Sequence, residues 1–237
     1  MVASPHASNR LLNSLAASDL DAIVPHLESL DLPQETVLYE NGDAITRVFF
    51  PQSGIVSLLV DLATGQMIET GMVGRDSLVG GIAMLDGMFS LNHAVVQVAG
   101  AASVISADRL RNAANGSAAL QATLIRHEHA LLAQSQQSAA CNVTHSLESR
   151  LARWLLRCRD LVGSDDIALT QEFLGQMLGV RRTSVTLVAN NLQRAGLITH
   201  KRGHIRIQDV EGLRQTACEC YETLRSLSHR LLGPAAS

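Results

Sequence analysis

From residue 169 to residue 198 the apolar positions fall at helical spacing twice, with a glycine between the two runs. Phe173, Leu174, Met177 and Leu178 mark a first short helix. Val185, Val188, Ala189 and Leu192 mark a second, at i, i+3, i+4, i+7. Gly175 is small where two crossing helices approach, and Gly179 can supply the positive φ of a tight turn. The second helix leaves Arg181, Arg182, Thr183, Ser184 and Thr186 off its packing face. Such donors, bunched at a helix start, meet base edges and phosphates. The pattern predicts a helix-turn-helix rather than a plain αα-hairpin, because glycines, spacing and donors coincide.

The rest of the chain changes grammar several times. Residues 9–30 read as one amphipathic helix. Short β-rich runs follow at 47–50, 55–60, 66–73, 94–98 and 102–105, punctuated by glycines, which predicts an all-β sandwich or roll. A short helix is expected over 108–115 and a long one over 117–143. Along the long helix Leu120, Leu124, His127, Leu131, Gln134, Ser138, Cys141 and His145 recur at alternating 4,3 spacing, the rhythm of a coiled-coil seam. A two-fold DNA reader must dimerise, so this face is read as the dimer interface; a helix laid on its own domain is the alternative. Residues 147–161 form another helix. After the helix pair, 197–200 and 204–207 read as a compact hairpin tipped by Lys201 and Arg202, and 209–232 as a last helix.

Charge sharpens this outline. The net charge of −3 hides an asymmetry: residues 1–146 hold six Arg against thirteen acidic residues, whereas 147–206 hold ten Lys and Arg against five. The basic segment coincides with the helix pair, as expected of a phosphate-backbone binder. No apolar run reaches the roughly 18 residues of a membrane span, and the first residues lack a secretory pattern. A cytoplasmic protein without a membrane partner is expected. The four cysteines, Cys141, Cys158, Cys218 and Cys220, show no CxxC and no zinc or iron–sulfur spacing, so buried, idle thiols are expected and no metal site is assigned. No nucleophile–base pair, phosphate loop or carboxylate pair suggests an enzyme.

The order of an N-terminal helix, a β-roll, a long helix and a C-terminal winged helix-turn-helix resembles the Crp/Fnr family of bacterial transcription regulators, from about residue 9 to 207. The resemblance implies an α+β fold in four parts: a sensor β-roll over 9–116, a dimerisation helix over 117–146, a winged helix-turn-helix over 147–208 and a C-terminal helix over 209–237. It implies a homodimer on double-stranded DNA, with RNA polymerase as a further partner. By position, Arg182 matches the family's guanine-contacting arginine and Thr170 a phosphate contact. Thr183 stands where many members place a base-reading Glu, and Leu187 where the cyclic-AMP receptor protein has a second base-reading Arg, so a different half-site is expected.

The sensor departs further from the family pattern. The cyclic-nucleotide cassette requires a Glu for the ribose and an Arg for the cyclic phosphate. Gly80 or Gly81 occupies the first position here, and Ser90 or Leu91 the second. A buried phosphodiester without its cation is costly, so cyclic AMP is not expected to bind in the family's manner, and no cofactor is identified. Ser135 and Gln136 fall where the family's long helix touches its ligand. The effector-contact set is therefore Gly80, Gly81, Ser90, Leu91, Ser135 and Gln136. His93, near the roll, shows no obvious partner in the sequence. Two other readings stay open: an effector-independent regulator with a vestigial roll, and a ligand-binding or scaffold protein with a vestigial helix-turn-helix.

Overall fold

The computed structural model describes residues 8–85, 89–169, 171–201 and 203–232. The N-terminal segment does not form the single helix expected. Helices α1 (Arg10–Asn13) and α2 (Ala17–Ile23) are followed by a 3₁₀ turn at Val24–His26 and by strand β1 (Glu28–Leu32). Pro25 opens that turn, and a proline lacks the N–H that continued helix requires. The apolar positions still serve the core, since Leu11, Leu12 and Ile23 are buried. Asn9 pins the start: its Oδ1 accepts from Leu12 N at 3.0 Å, and its Nδ2 donates to Pro51 O and Ser77 O at 2.8 and 2.9 Å.

The roll comprises β1, β2 (Val37–Tyr39), β3 (Arg47–Pro51), β4 (Ile55–Asp61), β5 (Met67–Val73), β6 (His93–Val98) and β7 (Gly100–Ser106). They pair as a three-stranded sheet, β1-β7-β3, and a four-stranded sheet, β2-β6-β4-β5. The sequence pattern misses β1 and β2. They are short, and β1 has four of five residues at least partly exposed, so alternation is faint there. Helix α3 (Ala107–Gly116) leaves the roll, capped by Ser106, and α4 (Ala118–Thr144) begins at the cap Ser117. One apolar core joins the roll to α1, α2, α3 and the first half of α4.

Helix α4 turns the expected seam inward. Leu120, Leu124, His127, Ser138 and Cys141 are buried within the same chain. His127 Nε2 accepts from Leu78 N at 3.1 Å and meets Ser77 Oγ at 2.5 Å. The Gln134 side chain pairs with both backbone groups of Met72 at 3.2 Å. His127 and Gln134 of the 4,3 pattern are thus taken up by the chain's own roll. A second 4,3 series lies about one position along the helix, through Ile125, His129, Leu132, Gln136, Ala139 and Val143. Leu132 and Val143 on it are 56% and 87% exposed.

Helix α5 (Leu147–Val162) starts at the cap Ser146 and ends at Gly163 in the left-handed region. It carries the second core, which gathers the reader helices and also Ile55, Leu59, Met72 and Val95 of the roll. Strand β8 (Asp166–Ala168), helices α6 (Gln171–Leu178) and α7 (Arg182–Arg194), strands β9 (Ile198–Lys201) and β10 (His204–Ile207) complete a winged unit with sheet order β8-β10-β9. The last segment is two helices, not one: α8 (Val210–Thr216) and α9 (Cys220–Leu232). Cys218 lies in the link between them, so the two neighbouring cysteines do not share a helix. Among the described residues no helix is long and apolar enough to cross a membrane.

Candidate nucleic-acid interface and effector cavity

Helices α6 and α7 meet as the glycines require. A Cβ at Gly175 would stand 3.0 Å from Val180 O and 3.3 Å from Arg182 N, and Gly179 has φ +63°. Val185, Ala189 and Leu192 are fully buried, which sets the rotation of α7 and leaves Arg181, Arg182, Thr183 and Leu187 exposed. Ser184 and Thr186 are half-buried, and Thr186 Oγ1 donates back to Arg182 O at 3.0 Å. Arg181 precedes the helix in extended backbone, and no side chain caps the first turn. The amides at that end are therefore placed for an anion, such as a DNA phosphate.

Lys201 is exposed at the end of β9, paired in register with His204 of β10. The structure thus gathers Arg181–Ser184, Thr186 and the wing lysine on one winged unit. Thr170 and Arg202 lie outside the described residues. Behind α7, the Arg150 Nη2 donates to Leu178 O at 2.5 Å and ties α5 to the end of α6.

Among the described residues the roll has a small cavity, about 90 Å³, lined by Gly80, Gly81, Ser90 and Leu91 together with Tyr39 and Glu128. Drug-sized ligands occupy roughly 300–1,000 Å³, several times this volume. Glu128 Oε1 lies close enough to Gly81 to overlap a Cβ there, and its carboxylate puts negative charge into the cavity lining. Ser135 and Gln136 do not line it; Ser135 Oγ donates to Leu131 O at 3.1 Å and Gln136 is exposed. The helix contacts are instead Glu128 and Leu131, one to two turns earlier.

A far larger cleft, about 970 Å³, lies between roll and reader, lined among others by Glu69, Arg75, Gln134, Arg153, Arg157 and Tyr221. Arg157 pairs with Asp76 at 2.9 Å. Nε of Arg153 is buried without a hydrogen-bond partner among the described residues. Glu69 accepts from Ser57 Oγ at 2.6 Å and from Trp154 Nε1 at 2.8 Å. Burial, the largest influence, pushes this carboxyl up from 4.5 to about 7, against those hydrogen bonds and the cations Arg153 and Arg157.

Sequence reasoning passed over two further groupings. His93 does have partners, since Nδ1 stands 3.3 Å from Glu40 Oε2 and 3.6 Å from Asp61 Oδ2. All four cysteines are free and buried, as expected, but Cys141, Cys218 and Cys220 cluster together, with His145 beside them. The legible signal was the i, i+4 pair Cys141 and His145, on one helix face, joined to a C-x-C before a helix.

A roll of the cyclic-nucleotide-binding type, joined through a long helix to a winged helix-turn-helix, defines a class of DNA-binding regulators. Residues 30–117 match the cyclic nucleotide-binding domain family, and residues 149–216 match the Crp-like helix-turn-helix domain family. The chain belongs to the Crp/Fnr family of transcription regulators. No curated protein sequence matches it. Among solved structures, FixK2 of Bradyrhizobium japonicum is 15% identical, with a TM-score of 0.70, over 81% of this chain and 98% of that one. The c-di-GMP responsive regulator CLP of Xanthomonas campestris is 16% identical, with a TM-score of 0.66, over 82% and 100%. A Crp/Fnr-family regulator of Thermus thermophilus is 20% identical, with a TM-score of 0.62, over 80% and 98%. At these identities the likeness is one of fold.

Proposed function

We propose that this regulator acts as a homodimer whose two α7 helices read successive major grooves of double-stranded DNA. The observation that carries this reading is the exposed Arg181–Thr183 start of α7, backed by the fully buried Val185, Ala189 and Leu192. Arg182 reads a guanine through O6 and N7, the commonest specific contact. Exposed Leu187, one turn along from Thr183, suits a thymine methyl. Thr170, Arg181, Ser184, Thr186, Lys201 and Arg202 hold phosphates and set the register. RNA polymerase is the further partner that the family suggests, in the cytoplasm.

The dimer face is the α4 series that runs from half-buried Ile125 through exposed Leu132 and Val143, in place of the buried one. The roll's small cavity and Glu128 argue against cyclic AMP as the signal. The interdomain cleft has the room for an effector, and its arginines suit an anionic one. In vitro selection from random duplex DNA tests the reading. Enrichment of a two-fold site, with half-sites about 10–10.5 base pairs apart or a multiple of that, supports it; a pool that stays random after successive rounds refutes it.

A further inference from the structure

The end of the long helix and the C-terminal segment converge on one cluster of ligand atoms. Cys141 and His145 sit one turn apart at the end of α4, Cys218 lies in the α8–α9 link, and Cys220 opens α9. Cys141 Sγ is 3.5 Å from Cys218 Sγ, and Cys220 Sγ is 3.6 Å from His145 Nδ1. One ligand atom from each of the four residues lies within 4.8 Å of the other three. All three cysteines are buried. They pack against one another apart from both apolar cores, whereas the fourth, Cys158, is an ordinary member of the second core.

A tetrahedral ion held at about 2.3 Å from sulfur and 2.0–2.1 Å from nitrogen places sulfurs about 3.8 Å apart and sulfur about 3.5 Å from nitrogen. The cluster is already near that size. We propose that Cys141, His145, Cys218 and Cys220 form a structural Zn²⁺ site of the Cys₃His type. Three thiolates and an imidazole suit a borderline-soft d¹⁰ ion and not the oxygen-seeking cations. Four protein ligands fill a tetrahedral shell and leave no open position for catalysis.

The surroundings fit the same assignment. His145 presents Nδ1 to the cluster while its Nε2 stands 3.1 Å from Glu219 Oε1. A carboxylate on the far nitrogen of a ligating histidine holds the tautomer that frees the other nitrogen for the metal. Gln137 Nε2 donates to Cys220 Sγ at 3.0 Å, a contact that favours a thiolate. The guanidiniums of Arg150 and Arg153 act electrostatically on the thiols and offset the net negative charge of three thiolates around one dication. A bound ion would tie α4 to the α8–α9 link across Ser146, where the chain turns into the reader. It would thereby hold the angle at which the DNA-binding unit leaves the long helix.

Elemental analysis of the full chain, purified without chelators, tests the site, together with Co²⁺ titration of the stripped, reduced protein. One zinc per chain is expected, as is one equivalent of cobalt with the intense visible bands of a tetrahedral thiolate site. Cys218→Ser should lose those bands, Cys158→Ser should keep them, and Glu219→Gln should lower cobalt affinity by about 10–100-fold. If Cys218→Ser does not fold, the wild type decides: the zinc form should shield three thiols from a disulfide reagent that the stripped form exposes. Any of four results overturns the proposal: zinc at trace level with only weak octahedral cobalt bands; iron with acid-labile sulfide; a Cys141–Cys218 disulfide in the fresh protein; or full metal retention in a folded Cys218→Ser/Cys220→Ser double variant.

Discussion

Trp154 Nε1, in the helix that leads into the reader, donates at 2.8 Å to Glu69 Oε1, in the fifth strand of the roll. The two residues are far apart in sequence and belong to different units, and the bond crosses the interface between them. Trp154 is almost fully buried, so its N–H has no water to fall back on, and losing the acceptor would cost on the order of 1–3 kcal/mol. On the roll side Ser57 contacts both Glu69 Oε2 and Gln97 Oε1. A hydroxyl has one proton to give. With that proton given to Glu69, burial still holds the carboxyl above its ordinary range.

That arrangement gives stability a pH dependence. The Glu69 carboxyl titrates near 4.5 in the unfolded chain and about 7 in the folded one, so the folded state keeps a proton that the unfolded state has released. The contribution is full below about pH 4.5 and is lost as pH rises through 7. Its ceiling is on the order of 3 kcal/mol, less what water in the adjoining cleft screens. Denaturant unfolding of wild type and Glu69→Gln at pH 5 and pH 8 isolates it. The wild type should lose more stability than the variant over that interval, and parallel losses would count against the buried-carboxyl account.

The proposed dimer face of α4 is testable by charge. Leu132→Glu places a carboxylate in the middle of the exposed 4,3 series, where two-fold symmetry brings it near its own copy. Sedimentation at micromolar concentration should show a dimer for the wild type and a shift to monomer for the variant. Leu131→Glu would instead strike the chain's own roll, lowering the unfolding temperature. A variant Leu132→Glu that stays fully dimeric would remove this face from the interface.

Lys201 has no base-reading part in this account. Lys201→Ala should weaken binding to all duplexes alike and flatten the dependence of log K on log salt by about one unit. Fluorescence anisotropy at several salt concentrations measures both quantities. A loss confined to one sequence would make Lys201 a base reader.

Cyclic AMP titrated into the protein in a calorimeter should give no heat beyond dilution. Among the described residues the roll offers a cavity of about 90 Å³, and the Glu128 carboxylate over Gly81 would repel a phosphate there. Saturable micromolar binding would contradict that reading of the roll.

The reader was legible in the sequence because its signals are local. Gly175, Gly179 and the buried positions of α7 all fall between residues 175 and 192, and the arginines sit on the same short stretch. The roll was legible in outline, but β1 and β2 carry too few buried positions to alternate. The first helix breaks twice, at residues 14–16 between α1 and α2 and again at Pro25, where a backbone constraint overrides apolar spacing. The seam failed for a subtler reason: two 4,3 series run along α4 about one residue apart, and periodicity cannot tell which one the chain's own roll will cover. The cysteine–histidine cluster and the Glu69–Trp154 bond both join residues more than seventy positions apart, and such pairs become visible only once the fold brings them together.

Whether Arg182 reads a base is decided by one comparison. Wild type and Arg182→Ala are measured against a selected duplex and against its set of single base-pair variants. The account predicts that Arg182→Ala loses about 1–3 kcal/mol on the selected site and becomes indifferent to one guanine position in each half-site. Unchanged affinity, or an equal loss on every duplex with the preference intact, would contradict it.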